Sequence, residues 1–255
     1  MTSWRRPHKE TVIAFGAMVL AWQIASSFFP AYLFPPVQAI AEKFLAIFLD
    51  RDSLADAFAT AGRIFTGLTV AFLLGGVLAF VMGRSERSYR YAYPLLNFIQ
   101  GIPALSWVVL AIIWFTGTES RILFIMAMTT LPAFSFQILD AYRAMSKDLL
   151  EMTLSFRPGK ADLFRTLILP TIVPGILTAW KVNLGNASRV VVVAELVGAT
   201  GGVGYQLLVQ QQLFDIAGAL AWTLVLVVFV LAVQQVITRI ERWLLAYRPV
   251  AERSA

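Results

Sequence analysis

The chain has 255 residues, of which 58% are hydrophobic and 14% charged, with a mean hydropathy of +0.72. No cysteine is present, which excludes a disulfide framework and thiolate chemistry, and the one histidine, His8, excludes a histidine cluster for a metal or a general base. The net charge of +6 would suggest nucleic acid in a soluble chain. Here it follows from where the cations fall between apolar segments, so no nucleic-acid partner is expected.

Several apolar runs reach the roughly 20 residues that cross a hydrocarbon core of about 30 Å. None shows the alternation of a spanning strand. The expected fold class is therefore all-α, a polytopic bundle with six transmembrane helices. The first span is Thr11–Phe29, retained because no A-x-A-type cleavage site follows it. Between it and the second span, Val37, Ile40, Phe44, Ile47 and Phe48 recur at helical spacing beside Glu42, Lys43, Asp50, Arg51 and Asp52. That pattern predicts an amphipathic helix lying on the outer surface. The remaining spans are predicted at Ala61–Gly83, Pro94–Thr116, Ile122–Asp140, Thr171–Leu196 and Leu220–Ile240. With the N-terminus inside, fifteen Lys and Arg fall on inside segments and four (Lys43, Arg51, Arg63, Arg121) outside. Both termini are then cytosolic.

The same asymmetry places the charged stretch Leu149–Pro170 inside. DLLEMTLSF reads as a short amphipathic helix, Arg157-Pro158-Gly159 as a bend with Gly159 taking the left-handed geometry, and KADLFRTLIL as a second helix. Pro170 suits the first turn of the following span. Two short helices around a tight bend make a knob that fits a cleft in a soluble partner.

The fifth span carries charge where a Lys or Arg costs about 2.5–3.5 kcal/mol. On a helical wheel Lys181, Ser188 and Glu195 lie within roughly 40° of one another, and Arg189 about 80° from Lys181. Lys181 and Glu195 are open to two readings, interhelical pairing or lining of a water-filled path. Arg189 is likewise open to two readings, a structural ion pair or anion contact and gating. Gln100 and Ser106 on the third span, with Trp107 beside them, are further pathway candidates. No phosphate loop is encoded: the one Gly-Lys, Gly159-Lys160, is followed by Ala161, with Leu154 where the first glycine belongs.

The order Glu151, bend glycine, Leu169-Pro170 resembles the cytosolic EAA loop of ABC-importer permeases. Gly62–Ser85, with Arg63 and Gly67, resembles the second span of the nitrate/sulfonate/taurine branch. Pro94–Ser120 and the segment holding Lys181, Gly185, Ala194-Glu195 and Gly202-x-Gly204-Tyr205 resemble its third and fifth spans. Two departures stand out. The bend glycine is displaced by two positions, and Asn183, Asn186, Ser188 and Arg189 are more polar than is usual there.

The resemblance implies one transmembrane permease domain over 1–255 with a type I ABC importer permease fold and a coupling loop at about 147–169. It implies a non-enzymatic subunit with no cofactor of its own, ATP and Mg being bound by a partner ATPase. The partners it implies are a second permease copy, two ATP-binding-cassette subunits, an extracytoplasmic solute-binding protein and membrane lipid. It assigns ATPase coupling to Glu151, Phe156, Arg157, Pro158, Gly159 and Lys160. The cargo expected is a small anion of the nitrate, sulfonate or taurine kind. A secondary transporter or channel would instead show broken helices in matched halves, and no matched half is seen; a membrane enzyme would need more intramembrane acids and bases.

Overall fold

The structure, a computed structural model, describes residues 9–244. His8, Arg5, Arg6, Arg248 and Arg253 lie outside the described residues, as do the two chain ends. The described residues form helices joined by short turns, with no strand among them. In chain order they are α1 (Lys9–Ser26), α2 (Val37–Leu49), α3 (Arg51–Arg84), α4 (Glu86–Gly101), α5 (Ala104–Trp114) and α6 (Thr118–Arg143). There follow α7 (Lys147–Ser155), α8 (Lys160–Leu163), a π turn (Phe164–Ile168), α9 (Leu169–Gly198), α10 (Val203–Gln212) and α11 (Ile216–Leu244).

The bundle is built on α3 packed along α6, with α9 packed against both. The α3–α6 contact has a sequence cause. Gly67, Ala71, Gly75, Ala79 and Gly83 recur every fourth residue and form one small-residue stripe. Such a stripe lets two helix backbones approach where lipid supplies no hydrophobic drive. A Cβ on Gly67 would lie 2.6 Å from the Met126 side chain, and one on Gly75 would lie 3.0 Å from the Leu131 carbonyl. Around that contact Ile64, Leu68, Val108, Met126, Phe134, Leu184 and Val191 form the buried core shared by α3, α5, α6 and α9. The Thr130 and Ser135 hydroxyls donate to carbonyls one turn back in their own helix, which keeps them satisfied in that core.

Capping fixes the helix starts. The Asp50 carboxylate accepts from the Ser53 amide at 2.8 Å at the head of α3, and Ser85 and Ser146 cap α4 and α7 in the same way. The amphipathic helix predicted after the first span is α2. It buries Ile40 and Ile47, the latter against Trp222 and Val225 of α11.

Two features refine the predicted spans. The third span is not straight, because α4 and α5 meet at 93°. Pro103 has no amide to donate and forces the residue before it out of helical geometry, so Ile102 sits at φ −79°, ψ 126°. Four described helices are long and apolar enough to cross a membrane, and five if the bent pair counts as one span. α1 has 18 residues, about 27 Å at 1.5 Å each, opens with Lys9 and Glu10, and is not among them.

The helix from Ala161 to Gly198 runs unbroken for 38 residues through the π turn. The extra residue of a π turn absorbs the mismatch where Pro170, in the first turn of α9, has no amide to offer.

Candidate functional site

Polar residues gather at the Arg51 end of the bundle. Asp56, Thr60 and Arg63 lie one helical turn apart along α3, on the face turned to the end of α9. Glu195, fully buried on α9, accepts from Arg63 Nη1 at 2.7 Å, the Thr60 hydroxyl at 2.8 Å and the Gly204 amide at 2.8 Å. Arg63 also donates to Glu119 at the head of α6 and to the Gly201 carbonyl, both at 2.7 Å. The turn after α9 is drawn into this cluster. Gly202 takes φ +114°, and a Cβ there would lie 2.5 Å from Glu195 Oε1, so only glycine fits. The first amides of α10 would otherwise be orphans. They are satisfied by side chains from other helices, Gly202 N–H by Asp56, Val203 N–H by Thr60 and Gly204 N–H by Glu195. Nearby, Thr118 and Arg121 donate to the Gly198 carbonyl. Four helix ends thus meet in one saturated network.

Farther along α9 the polar residues separate by face. Lys181 pairs with Glu241 of α11. Asn183 donates to Gln137 of α6 at 2.7 Å. Ser188 is buried, and its hydroxyl shares the Gly185 carbonyl with Arg189 Nε, each at 3.1 Å. Arg189 itself is exposed and makes no ion pair among the described residues. It stands on an uncovered stripe with Thr178, Val182, Val193 and Leu196, and Asn186 is half-buried beside it. Gln100, at the elbow, and Ser106, on α5, are also exposed. Trp107 is buried, and its indole N–H meets no acceptor among the described residues. The structure does not hydrogen-bond the predicted pathway residues to one another. Lys181 and Glu195 turn inward to partners, while Arg189, Gln100 and Ser106 face outward from the single chain.

At the opposite, Arg84 end, α7 projects from the bundle with Glu151, Met152 and Phe156 exposed. The helix closes on a left-handed residue, but that residue is Arg157 (φ 51°), whose amide bonds the Leu154 carbonyl at 2.9 Å. The expectation that Gly159 carries the left-handed geometry is therefore corrected. Pro158 and Gly159 lead directly into α8, which Lys160 opens.

Residues 67–245 match the family described as "Binding-protein-dependent transport system inner membrane component". The chain belongs to this family. It is an ABC-importer permease of the taurine, nitrate and bicarbonate type, a non-catalytic subunit whose ATPase is a separate chain. The permease is 28% identical over 214 residues to the taurine transport system permease protein TauC of Escherichia coli, covering 79% of this chain and 78% of that one. It is 22% identical over 201 residues to the nitrate import permease protein NrtB of a Synechocystis species (76% and 73% covered). It is 23% identical over 198 residues to the bicarbonate transport system permease protein CmpB of Synechococcus elongatus (73% and 71%). Its fold matches a chain of the MetNI methionine ABC transporter in an inward facing conformation, with a TM-score of 0.66 at 17% identity over 75% of this chain and 95% of that one. This permease is membrane-embedded, and its family works with ATPase and binding-protein partners.

Sequence reading of the permease missed most of the hub. Asp56, Thr60 and Glu119 belong to no recognised motif, and Arg63 stands out only by its spacing to Gly67 and its charge. A signal was present, since Asp56, Thr60 and Arg63 form a polar stripe at i, i+4, i+7 at the head of an otherwise apolar helix.

Proposed function

We propose that two copies of this chain, each one transmembrane domain, face each other across a two-fold axis and import a small anion delivered by an extracytoplasmic binding protein. The observation that carries this reading is Arg189, an exposed guanidinium without a carboxylate partner among the described residues. It lies nine residues, about 13 Å, from the Gly198 end of α9. Lipid against it would be costly, so the stripe of Thr178, Val182, Arg189 and Val193 fits a surface covered by a second copy and a water-filled path. Asn186, Gln100 and Ser106 would line that path. Lys181 and Glu195, held in ion pairs, and the buried Ser188 act as its scaffold.

A guanidinium offers paired donors to a planar or tetrahedral oxyanion. Taurine, nitrate and bicarbonate, the solutes in the relatives' names, all present such a group. The Lys and Arg asymmetry supports an inward Arg84 end with cytosolic termini. On that orientation the exposed face of α7, with Glu151 and Phe156 through Lys160, docks one ATPase subunit per permease copy. ATP and Mg then bind in those subunits and not in this chain. Lipid covers the apolar outer faces.

The test is Arg189→Gln in the assembled importer. Uptake should fall at least about tenfold, on the scale of one lost charge-assisted hydrogen bond, while assembly and basal ATP hydrolysis persist. Arg189→Lys should recover part of the uptake. Loss of assembly in Arg189→Gln would make Arg189 a structural residue and remove the anion argument.

A further inference from the structure

At the Arg84 end a cleft of about 360 Å³ opens between α3, α6 and the π turn. Gly76, Gly83 and Arg84 come from α3, Tyr142 from α6, and Phe164 and Ile168 from the π turn. The volume falls within the range of ligand sites, roughly 300–1,000 Å³. It exists because two members of α3 lack side chains: a Cβ on Gly76 would meet only Ile138 Cδ1 at 3.8 Å. An apolar slot beside lipid hydrocarbon gains dispersion contacts when a chain enters it. Its one charged wall is Arg84, the last residue of α3, exposed and without an ion pair among the described residues. Apolar walls ending at a free guanidinium match an amphiphile with an acyl chain and a phosphate.

We propose that this cleft binds one anionic phospholipid per permease chain, its acyl chain between Gly76 and Ile168 and its phosphate on Arg84. The proposal rests on the orientation given above, which sets Arg84 at the cytoplasmic leaflet, where anionic lipid resides. The consequence is mechanical. The third wall of the cleft is the π turn that joins α7 and α8 to α9, so a bound chain ties the coupling segment to the close-packed α3–α6 pair.

The test uses the purified importer with its ATPase. Native mass spectrometry after detergent exchange should find one anionic phospholipid retained per permease chain, in preference to a zwitterionic one. Arg84→Gln should weaken retention about tenfold, as for one charge-assisted hydrogen bond. Gly76→Leu, which places a side chain in the slot, should abolish it, and Gly76→Ala should keep it. In vesicles of zwitterionic phospholipid alone, solute moved per ATP hydrolysed should fall for the natural protein and recover with added anionic phospholipid. Unchanged retention in both Arg84→Gln and Gly76→Leu would overturn the proposal. So would equal retention of zwitterionic lipid, or a disulfide between Phe80→Cys residues of two permease copies, which would place the partner copy over the cleft. Orientation is read separately. The chain has no cysteine, so Ser85→Cys labels from one side only, and lipid retention does not depend on which side that is.

Discussion

Glu195→Ala tests whether the hub at the Arg51 end holds the helix ends together. Truncation takes from Arg63 Nη1 one of its two acceptors, leaves the Gly204 amide without one and the Thr60 hydroxyl without its carboxylate. Breaking a buried pair by removing one partner costs about 3–5 kcal/mol. Two features lower that figure here. Arg63 keeps Glu119 and the Gly201 carbonyl, and polar contacts between membrane helices average nearer 0.6 kcal/mol each. Three such contacts and one uncompensated guanidinium bond give roughly 2–3 kcal/mol. For a chain of this size that is a drop in Tm of about 4–12 °C. The assay is thermal unfolding of the purified permease in detergent, with Arg63→Ala and the double variant closing a cycle whose coupling should be about 1–3 kcal/mol. Glu195→Gln, which keeps the shape and one acceptor, should lose about half as much. A Glu195→Ala protein melting within about 1 °C of the natural one would refute the structural role. A Glu195→Gln protein of normal stability but no uptake would move Glu195 into the pathway.

Gly75→Val should lower folded yield and cost about 1–3 kcal/mol, because its Cβ would press on the Leu131 carbonyl and the Ser135 amide, which cannot rotate away. Gly62→Ala, with nothing within 4 Å of the added carbon, should stabilise by about 0.5–1 kcal/mol in the same thermal assay. Arg157→Gly should relieve the left-handed backbone and raise stability by about 1 kcal/mol, while Arg157→Val should lower it; equal melting of the two would remove the strain argument. Burial pushes the Asp215 carboxyl up, but the bond from Lys43 and the Gly218 amide outweigh it and hold the carboxyl below the usual aspartate range. The stability from this tie is therefore present above that range and fades as pH falls through the lowered value. Relative to the intrinsic exchange rate at each pH, hydrogen-exchange protection at the head of α11 should fall on acidification, and Asp215→Asn should remove that dependence.

Much of the fold was legible because membrane helices announce themselves by length and apolarity. The amphipathic α2 was legible too, since Ile40 and Ile47 share one face amid charges. The elbow at Gly101-Ile102-Pro103 was visible as residues, but local sequence does not say whether a proline kinks a span or turns it through a right angle. That choice is made by what α5 packs against. The wheel groups Lys181, Ser188 and Glu195 on one face, and Ser188 and Glu195 are buried there. It could not name Glu241 and Arg63 as the partners, because those lie on other helices. Nor could a glycine in the bend signal that Arg157, two residues earlier, would carry the positive φ. There the helix end sets the geometry, and the residue type tolerates it.

With an ATPase docked on α7 as proposed, the unbroken helix from Ala161 to Gly198 would act as a lever. Its 38 residues make a rod of about 57 Å, with the exposed knob at one tip and the Glu195 hub near the other. A tilt of about 10° around its midpoint swings each tip by roughly 5 Å, close to one helical pitch. The π turn lies at the end nearer α7, so its resistance to bending would set how much torque reaches the Glu195 hub and how much is lost as local flexing.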